Sequence, residues 1–404
     1  MIIRRALVCA PRMPEYDREG GSQRTFHLIE LLRAAGWAVS FIGHDATGEE
    51  NYATLLRRMG VATYAGAASV HAADDYITNP NELISAGAFD LAILTFWNVA
   101  EMYAPIIRSL SPSTRIIVDS IDLHFLRLAR SVFHSHSHAS VPPLLDRGYG
   151  DHVVREFNVY ASADSVLAVS DKEAEWISDV VADPKHTYAI PLIEDMPVSV
   201  IPYEKRRGIL FVGNFGHPPN IEAMDYLLRD IVPFIDTELL EKHPIKIVGN
   251  KLESVVKTLG APPRHVEYIG WVPSVVPYFH HARVSVVPLL WGAGTKTKLI
   301  QSLTVGTPCV STDIGIEGLD VHHPDDVLVA NDARTFAQHI TRLLTDAHTW
   351  KQISQNGRMT ITRTHGREAV NLRFQNAITE TFNKPAKFPL RPASSKSGLR
   401  EDVE

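Results

Sequence analysis

The sequence predicts an α/β protein with two domains, each built around a parallel sheet. The chain has 404 residues, which is more than one hydrophobic core usually serves. Short β-branched segments also alternate with amphipathic helical patterns along most of the sequence. This alternation indicates parallel strands with helices on both faces of the sheet.

The first series of strands begins close to the amino terminus. An apolar strand at 6–11 precedes an amphipathic helix at 26–37, which stops near Gly36. Further strands are predicted at 38–43, 90–96, 115–121 and 165–170. A stretch of alternating His and Ser followed by Pro and Gly, at 134–150, is predicted to be a loop over this domain.

A second series of strands follows the Pro-containing stretch 192–205, where we place the domain boundary. Its strands are predicted at 208–215, 245–250, 266–271, 284–290 and 308–312, with helices at 220–235 and 295–306. Two series of similar length predict two Rossmann-like domains. We therefore divide the chain into four parts. They are a first domain (1–198), a second domain (199–366), a helix that packs back on the domains (367–383) and a disordered polar tail (384–404).

Composition and charge narrow the class of protein. Hydrophobic residues make up 45% of the chain and charged residues 21%, as in ordinary globular proteins. The formal net charge of -6 excludes a globally basic nucleic-acid binder. Cys9 and Cys309 lie in apolar segments, which indicates buried small side chains and a reducing compartment. The sequence has no apolar run of ~20 residues and no signal peptide, so we expect a cytoplasmic protein, soluble or peripheral to the inner face of the membrane.

The segment 291–319 gives the strongest chemical signal. It predicts a strand, a Gly-rich turn and a helix, an arrangement in which Gly292 and Gly294 let the backbone approach a ligand. The N–H groups at the helix start would point at that ligand, and Lys296 and Lys298 add positive charge. Such a turn suits phosphate. It is also common in doubly wound domains of other functions, so the turn alone leaves both interpretations open.

The same segment resembles the donor-site signature of the family-four retaining glycosyltransferases of GT-B fold, in the subtype with a Gly-rich donor loop. The matching residues are the turn at 294–295, Lys298, Gly306, Pro308 and the stretch 315–319. Four further segments resemble family segments in the family's order: 15–32, 118–127, 162–173 and 211–224. The resemblance spans roughly residues 6 to 365 and implies two domains that face each other across a cleft.

On the donor side, the resemblance implies that Lys298, with the turn of Gly294 and Thr295 and the charge of Lys296, holds the diphosphate of a nucleotide sugar. The lysine and the helix N-terminus would neutralise the leaving diphosphate. Glu317 follows the last matching strand, at the edge of the sheet where ligands bind. We accordingly expect no metal and no cofactor, with the nucleotide sugar as a substrate.

Two positions depart from the family pattern. Asn214 stands where many relatives have an arginine near the phosphates, which makes Lys298 more important. Gln301 stands where the family usually has a glutamate that binds the donor ribose. A glutamine accepts through one oxygen and otherwise donates. These departures favour the alternative of a protein that has lost catalysis.

On the first-domain side, the resemblance implies that His124 hydrogen-bonds the donor sugar and acts in catalysis; a core histidine is the alternative. Arg127 and Arg130 are interpreted either as contacts to phosphate or acceptor or as a solvated helix face. Gly20 and Gly21 are predicted to form a loop before the first helix. Their amides would contact the donor diphosphate or the acceptor, whereas the structural interpretation is a capped glycine turn.

These observations predict a glycosyltransferase that moves a sugar from a nucleotide sugar to a carbohydrate or lipid-linked acceptor, with retention and without metal. Surface polysaccharide or lipopolysaccharide assembly is the setting that the resemblance implies. The alternatives are a catalytically impaired GT-B binding or scaffold protein and a sugar-nucleotide epimerase. The alternating histidines at 134–138 have no defined coordination geometry, so we predict no metal site there. We expect no nucleic-acid partner, and membrane contact stays open.

Overall fold

The computed structural model describes residues 3–45, 50–65, 79–135, 145, 147–259 and 262–387. Two parallel sheets lie at the centres of two α/β domains. The chain crosses from the first domain to the second after residue 189 and returns near residue 366.

The first domain has seven parallel strands. They are β1 (Arg5–Ala10), β2 (Ala38–Gly43), β3 (Ala62–Ala65), β4 (Leu91–Thr95), β5 (Arg115–Asp119), β6 (Ser165–Ala168) and β7 (Thr187–Ala189). Their order in the sheet is β3-β2-β1-β4-β5-β6-β7. The helices are α1 (Gly20–Ala34), α2 (Glu50–Arg58), α3 (Pro80–Ala86), α4 (Trp97–Leu110), α5 (His124–Ser135), α6 (Arg147–Ser162) and α7 (Asp171–Val181).

The second domain has six parallel strands. They are β8 (Ile209–Val212), β9 (Ile245–Val248), β10 (Val266–Gly270), β11 (Val284–Val287), β12 (Cys309–Ser311) and β13 (Leu328–Val329), in the order β10-β9-β8-β11-β12-β13. The helices are α8 (Pro218–Tyr226), α9 (Thr237–Lys242), α10 (Leu252–Leu259), α11 (Val276–His281), α12 (Thr297–Thr304), α13 (Asp313–Ile316), α14 (Ala333–Thr345) and α15 (Ala347–His365). The last helix, α16 (Arg367–Asn383), returns to the first domain.

All ten strands predicted from the sequence are present, with ends that differ by a few residues. Their side chains are largely buried on both faces, as a parallel sheet covered by helices requires. The sequence did not reveal β3, β7 and β13. These three strands lie at sheet edges and contain four, three and two residues. Two to four residues give little hydrophobic pattern, although β12, with three residues, was predicted.

The helices differ more from the predictions. The first helix begins at Gly20, so the two glycines predicted as a preceding loop form its first turn. The helix predicted at 220–235 ends at Tyr226 and continues as a wide turn, Leu227–Ile231, and a tight turn, Val232–Phe234. Pro233 lies in that tight turn and cannot donate a helical hydrogen bond.

The predicted loop at 134–150 and the predicted tail are described only in part. Residues 134–135 end α5 and residues 147–150 begin α6, so both ends of the loop are helical. Residues 136–144 and 146, with most of the alternating histidines, lie outside the described residues. Of the tail, residues 384–387 contact the first domain, since Arg115 donates to the Lys384 carbonyl at 2.6 Å. Residues 388–404 lie outside the description.

Helix α16 completes the core of the first domain. Its buried side chains Val370, Phe374, Ala377 and Ile378 pack with those of β1, β2 and α1. The first domain is therefore built from both ends of the chain. Within the described ranges, no helix has the length and apolar character needed to cross a membrane.

Candidate active site

The loops at the carboxyl ends of the two sheets meet at the domain interface. Gly20, at the start of α1, faces Thr297, at the start of α12; a Cβ added to this glycine would lie 3.2 Å from Thr297 Oγ1. Nearby, a Cβ added to Gly318 would lie 3.1 Å from the Cβ and Oγ of Ser170. Ligands of open α/β sheets bind at this edge, so the candidate site lies between the two domains.

The Gly-rich turn after β11 packs tightly against the first domain. Gly294 has a φ of 67°, and a Cβ there would lie 3.1 Å from Asp122 Cβ. Both the backbone conformation and the close approach require glycine. Across the interface, Ile121 has a φ of 63°, which is strained for a β-branched residue. Helix α12 begins at Thr297, and its N-cap residue Lys296 forms no side-chain cap, so the first-turn N–H groups are available to an anion.

Both predicted lysines turn into the protein. Lys296 is 8% exposed and donates to the Gly294 carbonyl oxygen; burial lowers its pKa to about 8. Lys298 donates to Asn220 Oδ1, and burial, followed by the charge of Lys296, lowers its pKa to about 7. Both ammonium groups are thus bound by neutral oxygens. An anion near them would favour their charged forms.

Asn214 is connected to Lys298 through one neighbour. Asn220 donates to the Asn214 carbonyl oxygen at 2.8 Å, while Asn214 Oδ1 accepts the Gly216 N–H at 3.0 Å. Sequence reasoning missed Lys251, from the loop after β9. A Cβ added to Gly216 would lie 3.1 Å from its Nζ. The loops after β8 and β9 thus bring a third lysine, after Lys296 and Lys298, to this edge of the sheet.

Gln301 hydrogen-bonds a carboxyl group that the sequence did not indicate. Glu194, in the first crossing between the domains, is bonded by Gln301 of α12 and by Gln23 of α1. It is 7% exposed, and burial raises its pKa to about 7. Among the described residues, its Oε2 has no hydrogen-bond partner.

His124 is held at the start of α5 by side-chain and backbone contacts. Trp97 Nε1 donates to His124 Nδ1 at 3.0 Å, so the proton of a neutral ring lies on Nε2. That nitrogen lies 3.2 Å from Asp122 Oδ1. The buried carboxylate of Glu156 accepts the N–H groups of His124 and Phe125 at 2.9 and 2.8 Å. The sequence placed the histidine at this edge but gave no sign of Trp97 or Glu156.

Asp122 is a buried carboxyl group at the interface. Burial alone would raise its pKa, but the nearby His124, whose Nε2 lies 3.2 Å from Asp122 Oδ1, and the charge of Arg127 lower it. Arg127 Nη1 donates to Asp122 Oδ2 at 2.7 Å. Arg127 is thus an ion-pair partner of Asp122 within the first domain, and 41% of its side chain is exposed.

Arg130 joins α5 to the second domain. It donates to the two Glu317 carboxylate oxygens at 2.5 and 2.8 Å and to the Gly292 carbonyl at 2.5 Å. Lys172 donates to Glu317 at 2.8 Å. Burial would raise the pKa of Glu317, but hydrogen bonds from Arg130 and Lys172 lower it to about 2. Glu317, predicted on the donor side, thus engages first-domain cations.

Glu173 is a further buried carboxyl group that sequence reasoning missed. It lies in the first turn of α7 and is 5% exposed. Burial, followed by the charge of Asp122, raises its pKa to about 8. A neutral carboxyl group therefore lies beside the charged residues of the interface.

Two other features complete the surroundings of the site. A cavity of ≈ 70 Å³, lined in part by Arg12, Glu19, Ser22 and Phe96, lies between the end of β1 and the first turn of α1. His134 belongs to the run of alternating histidines, where we predict no metal site. Its Nε2 lies 2.6 Å from Oε2 of Glu222 in the second domain. Within the part of the chain that the structure describes, there is no group of three His, Cys, Asp or Glu residues that could hold a metal ion.

The two parallel α/β domains of this chain have the GT-B fold of glycosyltransferases. They meet at the glycine-rich turn and the N-terminus of α12. Residues 206–346, most of the second domain, match the family model described as "Glycosyl transferases group 1".

The solved structures similar to this chain have low sequence identity and cover most of it. Sucrose-phosphate synthase from Thermosynechococcus elongatus is 18% identical, with a TM-score of 0.67 over 95% of this chain and 100% of that structure. Anabaena HepE in complex with UDP-glucose is 12% identical, with a TM-score of 0.62 over 93% of this chain and 99% of that structure. At these identities, the likeness shows the fold.

One curated relative is an uncharacterized 44.6 kDa protein in the cps region of Klebsiella pneumoniae. It is 26% identical over 209 residues, which are 49% of this chain and 52% of that protein. The match therefore spans about half the length of the curated relative.

Proposed function

We propose that the protein is a glycosyltransferase that moves a sugar from a nucleoside diphosphate donor to a carbohydrate or lipid-linked acceptor. We further propose that it acts with retention and without a metal ion, as the family-four glycosyltransferases do. Its setting would be surface polysaccharide or lipopolysaccharide assembly on the cytoplasmic side. The match to a protein of the cps region supports that setting.

The observation that carries this proposal is the free N-terminus of α12 with two lysines beside it. Lys298 and Lys296 donate to neutral oxygens, as described above, and Lys296 leaves the first-turn amides without a side-chain cap. One buried and one half-buried ammonium group, together with a helix N-terminus, attract a doubly charged phosphate group. Gly20, at the start of α1, brings a second helix N-terminus to the same place.

The chemistry follows from these charges. When the bond between the sugar and the diphosphate breaks, negative charge grows on the leaving phosphate oxygen. Preorganised N–H groups and ammonium ions lower the energy of that charge without reorganising. The acceptor hydroxyl forms the new bond to the sugar, and its proton leaves with the diphosphate. With attack from the same face, positioning of donor and acceptor does most of the work.

His124 supplies the first-domain contact in this proposal. Its ring lies at the start of α5, beside Asp122, which itself lies against Gly294 of the donor loop. Trp97 keeps the Nε2 proton on the face that points toward Asp122. A neutral imidazole with a fixed Nε2–H can donate to a sugar hydroxyl or ring oxygen.

A thermal-shift screen tests the proposal. The purified protein is heated with UDP, GDP, ADP, CDP and common sugar conjugates of these nucleotides, with and without EDTA. A ligand that binds only the folded state raises Tm in proportion to the logarithm of its concentration over its Kd. We expect one nucleotide to raise Tm, with or without EDTA. An absence of any shift would contradict the donor site, and a shift abolished by EDTA would contradict the metal-free mechanism.

The second candidate function is a GT-B protein that binds a nucleotide sugar but does not transfer it. It is favoured by Gln301, whose side chain is engaged by Glu194. Incubation of the identified donor with membranes or oligosaccharides distinguishes the two functions. Release of the nucleoside diphosphate that depends on an acceptor supports the transferase, whereas donor binding without release supports the binding protein. Interconversion of the donor without acceptor would indicate an epimerase.

A further inference from the structure

Glu194 has a carboxylate oxygen with no partner. The residue lies in the first crossing between the domains and is 7% exposed. Gln23 and Gln301 bond its carboxyl group from opposite domains, yet among the described residues its Oε2 has no hydrogen-bond partner. Buried polar atoms of folded proteins are almost always paired. An unpaired acceptor inside the interface therefore points to a missing donor.

The position of Glu194 relative to the two helix N-termini indicates what that donor is. Gln301 lies one turn after Thr297 in α12, and Gln23 lies one turn after Gly20 in α1. The first turns of the two helices meet at the Gly20–Thr297 contact. One helical turn advances about 5 Å, close to the distance between a diphosphate and the hydroxyl groups of its ribose. A diphosphate at these turns would bring its ribose to the level of Glu194.

We propose that Glu194 and Gln301 together bind the ribose 2′- and 3′-hydroxyl groups of the donor nucleotide, an inference that rests on the proposed function. A ribose diol offers two O–H donors, and the free Oε2 of Glu194 accepts the one on the 2′-hydroxyl group. The Gln301 side chain, whose amide bonds Glu194, offers its own oxygen to the other. The carboxylate that binds ribose thus comes from the interdomain crossing and not from α12.

The protonation of Glu194 agrees with this assignment. Burial raises its pKa to about 7, and the neighbouring charge of Asp195 also raises it, against the hydrogen bonds from Gln301 and Gln23. Hydroxyl donors favour the ionised form of a carboxyl group. A bound ribose would therefore stabilise the carboxylate that burial disfavours.

A purely structural role makes a different prediction. If Glu194 only clamps the crossing between α1 and α12, its loss would disturb the domain arrangement and weaken every nucleotide equally. If it binds ribose, its loss would affect only nucleotides that carry the 2′-hydroxyl group. The preference for ribose over deoxyribose separates the two roles.

The test compares Kd values for matched pairs of nucleotides by calorimetry: UDP with 2′-deoxy-UDP, GDP with 2′-deoxy-GDP and ADP with 2′-deoxy-ADP. For the pair that binds, we expect the full-length wild-type protein to prefer the ribonucleotide by about tenfold or more, as for a hydrogen bond to a charged group. In Glu194→Gln the preference should fall to about twofold or less, through weaker binding of the ribonucleotide alone. Asp195→Asn, the adjacent carboxylate paired with Arg367, serves as the matched control and should keep the full preference.

Two results would overturn this inference: a Glu194→Gln protein that keeps the wild-type preference, or one that loses affinity for both nucleotides equally. If that variant does not fold, Glu194→Asp, which withdraws the carboxylate by one methylene group, replaces it and should also lower the preference. Binding by the wild-type protein without any ribose preference would overturn the ribose site and leave the donor site standing. Failure of the wild-type protein to bind any nucleotide would instead overturn the proposed function.

Discussion

Arg130 of the first domain donates two hydrogen bonds to the carboxylate of Glu317 in the second domain, at 2.5 and 2.8 Å. Bidentate pairs of this kind are among the stronger charge-assisted hydrogen bonds. The same guanidinium binds the carbonyl oxygen of Gly292 in the donor loop. The contact that joins the domains therefore also fixes one end of the turn that precedes α12.

Loss of this contact should loosen the interface. We expect Arg130→Met to increase the radius of gyration in small-angle X-ray scattering, because the two domains lose their bidentate ion pair. Arg155→Met is the matched control, since Arg155 pairs with Glu101 within the first domain, and it should leave the radius unchanged. Equal radii for wild type and Arg130→Met would show that other contacts hold the domains together.

The stabilisation from Glu317 should depend on pH. Its pKa is about 2 in the folded protein and close to 4.3 in an unfolded chain. A lowered carboxyl pKa stabilises the fold above the unfolded value, and this stabilisation is lost as the pH falls toward the folded value. The Tm difference between wild type and Glu317→Gln should therefore be largest above pH 5 and shrink toward pH 2. A difference that does not change over this range would contradict the assigned ion pair.

Lys298→Met should abolish transfer and weaken nucleoside diphosphate binding by at least about tenfold, because a charge-assisted contact contributes about 1.5–3 kcal/mol. At pH 7 the same change should not lower the Tm of the free protein, since the buried ammonium ion disfavours folding there. Thermal-shift titrations measure both effects. Lys351→Met removes an exposed lysine that lies 3.8 Å from Glu204 and should change neither quantity. Unchanged turnover in Lys298→Met would refute the diphosphate site.

His124→Ala should lower the turnover number while it leaves the nucleotide Kd nearly unchanged, since the ring acts on the sugar and not on the diphosphate. Trp97→Phe keeps an aromatic ring but loses the donor to Nδ1, so we expect a smaller loss of turnover in the same direction. Steady-state kinetics with calorimetric Kd values would separate these effects. A His124→Ala protein with normal turnover and a lower Tm would place the histidine in the core instead.

Gln301→Glu places a second carboxyl group against Glu194, whose pKa is already raised to about 7. We expect this single change to weaken nucleotide binding because two like charges then share a buried site. The double variant Glu194→Gln/Gln301→Glu restores one carboxyl and one amide and should recover most of the lost affinity. A double-mutant cycle measured by calorimetry quantifies the coupling. Additive effects of the two changes would show that the side chains do not act together.

Local patterns in the sequence were enough to predict ten of the strands and the turn around Gly294. Those features depend on residues close together in the chain, namely apolar runs and glycines that precede a helix. The same holds for the position of His124 after β5. Edge strands such as β13, with two residues, carry too little pattern to be recognised.

The remaining part of the site depends on contacts between distant segments. Glu194 reaches Gln301 only because the crossing after β7 passes α12, and no spacing in the sequence encodes that approach. From the sequence, Arg130 could be interpreted as a cation on a solvated helix face. Nothing in the sequence connects it with its partner Glu317, which lies 187 positions away. Contacts between segments so far apart in the chain form only in the folded interface, and the composition of the sequence does not reveal them.

The return of α16 to the first domain makes the second domain a continuous insertion. The two crossings lie side by side, because Arg367 donates to Asp195 at 2.6 Å and the Glu194 N–H donates to the His365 carbonyl at 3.2 Å. Only two neighbouring junctions connect the inserted piece to its host. A chimera could therefore exchange the whole piece as one cassette, and with it the choice of nucleotide, while the acceptor-side host stays intact. Truncation before α16, by contrast, would damage the host.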